Sequence, residues 1–128
     1  MDATQLLSAY KQSLLIIDRY RTIDPVPYPS LSDLVDSYCS INGISIAQAA
    51  KSGEHKRILL AICIKRYHPE KLEGTHIRRL RNGIISGLSY KLGVLPNYFK
   101  NNSESIIFQY TEIQSFRSEI DNLLKILL

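Results

Sequence analysis

At 128 residues, the chain has the length of one ordinary domain and is too short for two. Hydrophobic residues make up 45% and charged residues 22%, so there are enough apolar side chains for a core, and wholesale disorder is excluded. No apolar run approaches the roughly 18 residues of a membrane span, and the first residues lack the basic start of a secretion signal. We therefore expect a soluble, cytoplasmic protein with no membrane partner.

The first element is predicted to be an amphipathic helix from residue 5 to residue 21. Its apolar residues, among them Leu6, Tyr10 and Ile17, recur at steps of three and four, as on one face of a helix. Three prolines between Pro25 and Pro29 then predict a stiff connector. Residues 1–29 are accordingly interpreted as a separable arm, which packs either on the rest of the chain or on a second copy, and residues 30–128 as the main domain.

Three helices are predicted between residues 30 and 67. The first begins at Ser30 and ends at Asn42-Gly43, and a short one runs over 46–50 with Ser45 as its N-cap. The third runs over 54–67, contains the longest apolar run of the chain, Ile58 to Ile64, and ends at His68-Pro69. We expect this third helix to lie at the centre of the core.

The remaining residues are predicted to be helical as well. Thr75 is expected to begin a helix that reaches Leu92, with a break near Asn82-Gly83 that separates a short basic helix from residues 84–92. One long C-terminal helix follows from Pro96, with any interruption near residues 101–103. No segment alternates in the manner of a strand. The predicted fold is all-α: a small helical bundle with an N-terminal helical arm and a long C-terminal helix.

Positive charge is concentrated in the middle of the chain. Residues 51–100 contain eleven Lys and Arg but three acidic residues, a balance of 11 − 3 = +8, whereas the remaining residues sum to 5 − 9 = −4, which restores the formal net charge of +4. A cationic region of this kind is typical of proteins that bind a polyanion, because each Lys or Arg that meets a phosphate releases a counterion. A solvated helical face is the alternative interpretation.

The cysteines indicate neither a disulfide framework nor a metal site. Cys39 and Cys63 lie inside predicted helices and are interpreted as small buried hydrophobes, with a disulfide or a metal site as the minor alternatives. Residues His55, Cys63 and His68 do not follow the spacing of zinc ligands. We therefore expect no cofactor and no metal.

No catalytic motif stands out in the sequence. Glu70 and Glu73 flank a turn beside His68, but exposed charges at a helix end are the ordinary explanation, with acid–base chemistry as the minor one. Phosphate-binding loops, serine-hydrolase elbows and zinc-protease motifs are all missing from the sequence. The chain is therefore not expected to be an enzyme.

Residues 85–102 fit the pattern of a helix-turn-helix. Ser89 is the small residue that allows close helix crossing, and Gly93, four residues later, makes the sharp turn. The second helix would begin at Pro96 and bury Phe99. Its outward side chains, which are the predicted base contacts, are Asn97, Tyr98, Lys100 and Asn101. A plain helical hairpin remains the alternative.

The order of elements from about Ser30 onward resembles the C-terminal DNA-binding domain of the bacterial replication initiator DnaA and its Trp-repressor-like relatives, above all short DnaA-like proteins of Bacteroides-type genomes. The likeness lies in a short helix pair, the Lys/Arg-opened helix at residues 54–61 and the helix-turn-helix. The family signature Asp-His-Ser/Thr-Thr-Val is replaced here by residues 95–99, Leu-Pro-Asn-Tyr-Phe. The resemblance implies the fold and a groove-facing second helix, and it implies neither the family's target sequence nor its ATPase.

The sequence thus predicts a double-stranded DNA-binding protein, regulatory or accessory to replication. Its predicted phosphate contacts are Arg78, Arg79, Arg81 and Lys91, joined through the resemblance by Lys56 and Arg57. The rival interpretation is a helical protein-interaction module that forms homo- or hetero-oligomers without binding DNA. A third combines the two: a homodimer through the N-terminal arm or the C-terminal helix, bound to paired half-sites.

Overall fold

The computed structural model describes residues 2–73 and 79–127, and these residues contain seven α-helices, one 3-10 helix and no strand. The α-helices are α1 (Ala3–Ile23), α2 (Tyr28–Ile41), α3 (Ile46–Lys51), α4 (Gly53–Tyr67), α5 (Ile84–Leu92), α6 (Pro96–Glu112) and α7 (Gln114–Leu127), and the 3-10 helix spans Pro69–Glu73. The predicted all-α fold is confirmed. None of the helices described combines the length and the apolar character that crossing a bilayer requires.

Helix α4 is the centre of the bundle. All seven residues from Ile58 to Ile64 are buried, and α2, α3, α5, α6, α7 and the 3-10 helix all pack against α4. Over these seven residues the helix is covered on every side and has no polar face, which explains the unbroken apolar run in its sequence. The predicted central core helix is confirmed within one residue at its start.

Helix α1 lies on the 3-10 helix with its polar side facing inward. Asp18 and Thr22 are its buried residues, whereas Leu6, Tyr10 and Ile17, members of the predicted apolar face, are exposed. The periodicity predicted the helix correctly. The inward side of the helix is nevertheless the polar one, because the neighbouring residues of the 3-10 helix are themselves polar.

The proline connector is fixed to the segment that precedes α5. The backbone N–H of Val26 donates to the carbonyl of Asn82 (2.8 Å), and the N–H of Asn82 donates to the carbonyl of Thr22 (3.1 Å). Gly83 has a φ of +98°, and a Cβ at this position would lie 3.0 Å from the Val26 carbonyl oxygen. Residues 1–29 are therefore attached to residues 30–128 along the connector.

The break near Asn82-Gly83 is confirmed, since α5 begins at Ile84 with Gly83 as its N-cap. Residues 79–81 are not helical, so the short basic helix that was expected before the break does not include them. Residues 74–78, where it was expected to begin, lie outside the described part of the chain.

The C-terminal region consists of two helices rather than one. Helix α6 is continuous through residues 101–103, the place named for any interruption, and it ends at Glu112. Ile113 has an extended conformation (φ −110°, ψ 103°), after which α7 packs back against α6 and α4. Burial of Ile120 and Leu124 of α7 in the common core explains the reversal.

Candidate DNA-binding surface

Helices α5 and α6 are joined by three residues, 93–95. Gly93 ends α5 in the left-handed conformation (φ +69°), and the N–H groups of Gly93 and Val94 both donate to the carbonyl of Ser89. Ser89 is buried, and Pro96 occupies the start of α6. The small residue, the left-handed glycine and the proline therefore have the positions that the sequence predicted for them.

The first two turns of α6 expose three of the four predicted base-contacting residues. Asn97, Lys100 and Asn101 are exposed, and their spacing of three and four places them on one side of the helix. Phe99 points in the opposite direction and is fully buried, as predicted. We refer to Asn97, Lys100 and Asn101 as the polar stripe.

Tyr98 has a different position from the one predicted. It is partly buried against the core, its ring meets Phe99 edge to face, and the ammonium nitrogen of Lys56 lies 3.9 Å from its ring centre. A step of one residue turns the helix by about 100°, which directs Tyr98 away from the polar stripe and toward α4. Tyr98 thus positions Lys56 on one side of α6, which corrects its predicted place among the outward-facing residues.

An open groove of about 910 Å³ lies on the other side of the polar stripe. It separates residues 79–86 from the start of α6, and Arg79, Lys100 and Asn101 are among the residues that line it. Arg79 is exposed. The polar stripe therefore has a cation on each side, Lys56 on α4 and Arg79 across the groove.

Two of the predicted phosphate contacts bind within the protein instead. The guanidinium of Arg81 donates to the carboxylate and the carbonyl of Asp24 and to the carbonyl of Tyr67, and its side chain is 10% exposed. The ammonium group of Lys91 forms an ion pair with Asp36 at 2.9 Å. These contacts tie the connector and α2 to the elements beside them, so Arg81 and Lys91 each have an acidic partner within the protein.

Two of the six predicted phosphate contacts remain, Arg57 and Arg78. Arg57 is exposed on α4 and lines a smaller cavity together with Glu54 and Glu119, whose carboxylates lower the local positive potential. Arg78 lies outside the described residues. One acidic residue, Glu104, also lines the groove, one turn beyond Asn101.

The cysteines and histidines have separate environments. Cys39 and Cys63 are both buried and free, as predicted, and burial raises the pKa of the Cys63 thiol to about 12, so it stays neutral at physiological pH. The Nδ1 of His55 is 2.6 Å from the hydroxyl of Tyr38. In the described ranges, 2–73 and 79–127, no three potential ligands cluster as a metal site would require.

Of the two carboxylates expected to be exposed, Glu73 is exposed, whereas Glu70 is buried, as is the neighbouring His68. His68 contacts a carboxylate oxygen of Asp18 through Nε2, and its Nδ1 accepts the backbone N–H of Arg81 (2.9 Å). Glu70 accepts a hydrogen bond from Arg21 at 3.0 Å. Both imidazole nitrogens are therefore occupied, and the fully buried ring has no nitrogen available for a substrate.

Comparison with known proteins adds no assignment to this geometry. The chain matches no protein-family model, no curated protein and no solved structure.

Proposed function

We propose that the protein binds double-stranded DNA without catalysing a reaction, and that the first two turns of α6 enter the major groove. The observation that carries this proposal is the polar stripe of Asn97, Lys100 and Asn101, exposed at the start of a helix with a cation on each side. The major groove admits an α-helix and presents distinct hydrogen-bonding groups on each base pair. A regulatory or replication-accessory role rests only on the resemblance in the order of elements.

Each side chain has a distinct role in this proposal. Asn97 and Asn101 contact base edges, because an amide pairs with N6 and N7 of adenine, and Lys100 reaches guanine or a phosphate. Arg79 and Lys56 contact phosphates on opposite sides of the DNA major groove. Cations at these places fix the position of the protein without reading sequence. Tyr98 contributes indirectly, because its ring holds the ammonium group of Lys56.

The acidic residues limit the extent of the DNA contact. Glu104 lines the groove of the protein between residues 79–86 and α6, and Glu112 is exposed at the end of α6. Both carboxylates would repel phosphates. The N-terminus of a helix, by contrast, has a partial positive charge from the aligned peptide dipoles. We therefore assign the contact to residues 96–101 and exclude the second half of α6 from it.

The test is fluorescence anisotropy with a labelled duplex of random sequence, titrated at about 50 mM and about 200 mM salt. We expect binding at the lower salt and a steep loss at the higher, since phosphate contacts release counterions. Duplex RNA of the same length is the matched probe, because the A-form major groove is too narrow for a helix. Equal affinity for both duplexes, or no binding at the lower salt, would contradict the proposal.

A second candidate function is a protein-interaction module. It is favoured by the outward side of α1, where Leu6, Ile16 and Tyr20 are each more than half exposed. Self-association together with the absence of DNA binding at about 50 mM salt would favour this candidate.

A further inference from the structure

Helix α1 exposes an apolar face, of which the Tyr10 hydroxyl alone is hydrogen-bonded to another described element: it donates to the carboxylate of Glu73 at 2.5 Å. Leu6, Tyr10, Ile16, Ile17, Tyr20 and Ile23 are exposed by 43% to 70%, and at 3.6 residues per turn they lie on one side of the helix. We refer to these six residues as the outer face of α1. The charged residues of the helix, Lys11, Asp18, Arg19 and Arg21, all project from its other sides.

Four of the six residues are placed symmetrically about Ser13, whereas Ile17 and Ile23 have Ala9 and Ala3 at their mirror positions. Leu6 and Tyr20 each lie seven residues from Ser13, on the same side of the helix, and Tyr10 and Ile16 each lie three residues from it. Two copies of α1 that cross antiparallel at Ser13 would therefore pair Leu6 with Tyr20 twice and Tyr10 with Ile16 twice. A two-fold interface has this property, because each contact between two residues occurs a second time with the protomers exchanged.

The area of the outer face suits a dimer. With roughly 200 Å² for a fully exposed side chain of this size, the six residues expose roughly 700 Å². A standard stable interface buries about 800 Å² per partner. Ser13, at the crossing point, is small and allows the two helix axes to approach closely.

We infer that the outer face of α1 binds the same face of a second copy of this chain, with the two helices antiparallel and crossing at Ser13. An unrelated partner would not require large side chains at equal distances on both sides of a midpoint. A second copy accounts for the placement of Leu6, Tyr10, Ile16 and Tyr20, because the same surface serves as both halves of the interface.

Sedimentation velocity tests this interface at protein concentrations up to about 100 μM. We expect a dimer for the unmodified chain and, for Ile16→Lys, an association at least about tenfold weaker, because a charge replaces a buried apolar group. Ile126→Lys is the matched control, since Ile16 is 66% and Ile126 64% exposed and the latter lies on α7. Circular dichroism with thermal melting checks that both variants remain folded.

Cross-linking tests the crossing point. Ser13→Cys is expected to form a covalent dimer on mild oxidation, because the two thiols meet at the two-fold axis. Ser8→Cys, an equally exposed serine on another side of α1, is the control and is expected to remain monomeric under denaturing conditions. The native thiols are buried and do not compete.

Four outcomes would overturn the inference. They are a monomeric unmodified chain throughout the concentration range, a dimer that survives Ile16→Lys, a dimer that only Ile126→Lys dissociates, and cross-linking at Ser8→Cys that equals that at Ser13→Cys. The third outcome would assign the interface to the C-terminal helix instead. Every variant leaves the polar stripe of α6 unchanged, so DNA binding is measured separately.

Discussion

His68 and Asp18 form a fully buried pair that joins α1 to the end of α4, directly before the 3-10 helix. Because the Nδ1 atom of His68 accepts the backbone N–H of Arg81, the proton of the neutral ring lies on Nε2, which donates to the carboxylate of Asp18. The ammonium group of Lys71 lies 3.8 Å from the other carboxylate oxygen. The segments that contain Asp18, His68 and Arg81 thus meet at the imidazole of His68.

Asp18→Asn is expected to lower the free energy of unfolding by about 3 to 5 kcal/mol, because it leaves the buried ammonium group of Lys71 without a counter-charge. Urea denaturation measures the change. Asp33→Asn, which neutralises an exposed carboxylate on α2, is the control and should change stability by less than about 0.5 kcal/mol. In a Lys71→Met background the cost of Asp18→Asn should shrink, and an equal cost in both backgrounds would show that the two charges do not interact.

Acidification is expected to destabilise the protein through His68. Burial lowers the pKa of His68, which also faces the carboxylates of Asp18 and Glu70 and the ammonium group of Lys71. As the pH falls, the unfolded chain therefore binds a proton at a higher pH than the folded one does. The contribution of neutral His68 to the free energy of unfolding is complete above about pH 6.5 and declines as the pH falls below it. Urea midpoints measured between pH 8 and pH 5 should show the decline.

The matched variants for the pH experiment are His68→Gln and His55→Gln. Glutamine at position 68 does not titrate, so the decline below about pH 6.5 should become shallower although the protein is less stable throughout. His55→Gln retains His68 and is expected to retain the decline. A decline that is unchanged in His68→Gln would assign the pH dependence to other groups.

Gly83→Ala is expected to cost about 2 kcal/mol or more, because it combines left-handed strain with a Cβ 3.0 Å from the carbonyl oxygen of Val26. Gly43→Ala separates the two causes. Gly43 also has a positive φ, +63°, but a Cβ there would meet nothing within 4 Å, so only the strain of about 1 kcal/mol remains. Chemical denaturation measures both variants. If Gly83→Ala and Gly43→Ala lowered the free energy of unfolding equally, the connector would have moved to accommodate the added methyl group.

Arg79→Ala is expected to weaken binding to all duplexes alike and to reduce the slope of log affinity against log salt by about 1, as loss of one phosphate contact predicts. Arg117→Ala removes an exposed arginine of α7 and is the control, with an unchanged slope expected. Anisotropy titrations over a series of salt concentrations measure both variants. Identical slopes for the two variants would remove Arg79 from the interface.

Asn101→Ala is expected to act on sequence preference instead. Discrimination at one base pair should fall by about 1 to 3 kcal/mol while the salt slope stays the same, because an amide that reads a base releases no counterion. The measurement compares duplexes selected from a random pool with their single-base variants. Asn122→Ala, at an exposed position on α7, provides the control. A change in salt slope without a change in preference would contradict the assigned role.

The sequence was most informative where one residue type has one structural use. The apolar run from Ile58 to Ile64 predicted a buried helix, and Gly83 and Gly93 predicted the break before α5 and the turn after it. The break at Ile113 was not predictable in this way. No glycine or proline marks it, and it follows from the burial of α7 against α4, a contact between residues distant in sequence.

The candidate site was predictable only in part, because charge counted along a sequence does not show which charges already have partners. Lys100 and Arg79 are exposed, whereas Arg81 binds Asp24 and Lys91 binds Asp36, each more than fifty residues earlier in the chain. The role of Asp18 was missed because one acidic residue within an amphipathic helix is normally solvated. The only sequence signal was that Asp18 and Thr22 lie one turn apart, on the same side of the helix.

The buried polar residues of α1, Asp18 and Thr22, determine which side of that helix faces the rest of the protein. A half-turn rotation would carry the carboxylate of Asp18 into water and bring isoleucine and tyrosine side chains against His68 and Lys71, whose hydrogen-bonding groups would then face hydrocarbon. A single protomer therefore cannot bury the outer face of α1 by rotating the helix about its axis. The second copy that we infer covers that surface, and the buried Asp18 of the first keeps the surface turned outward.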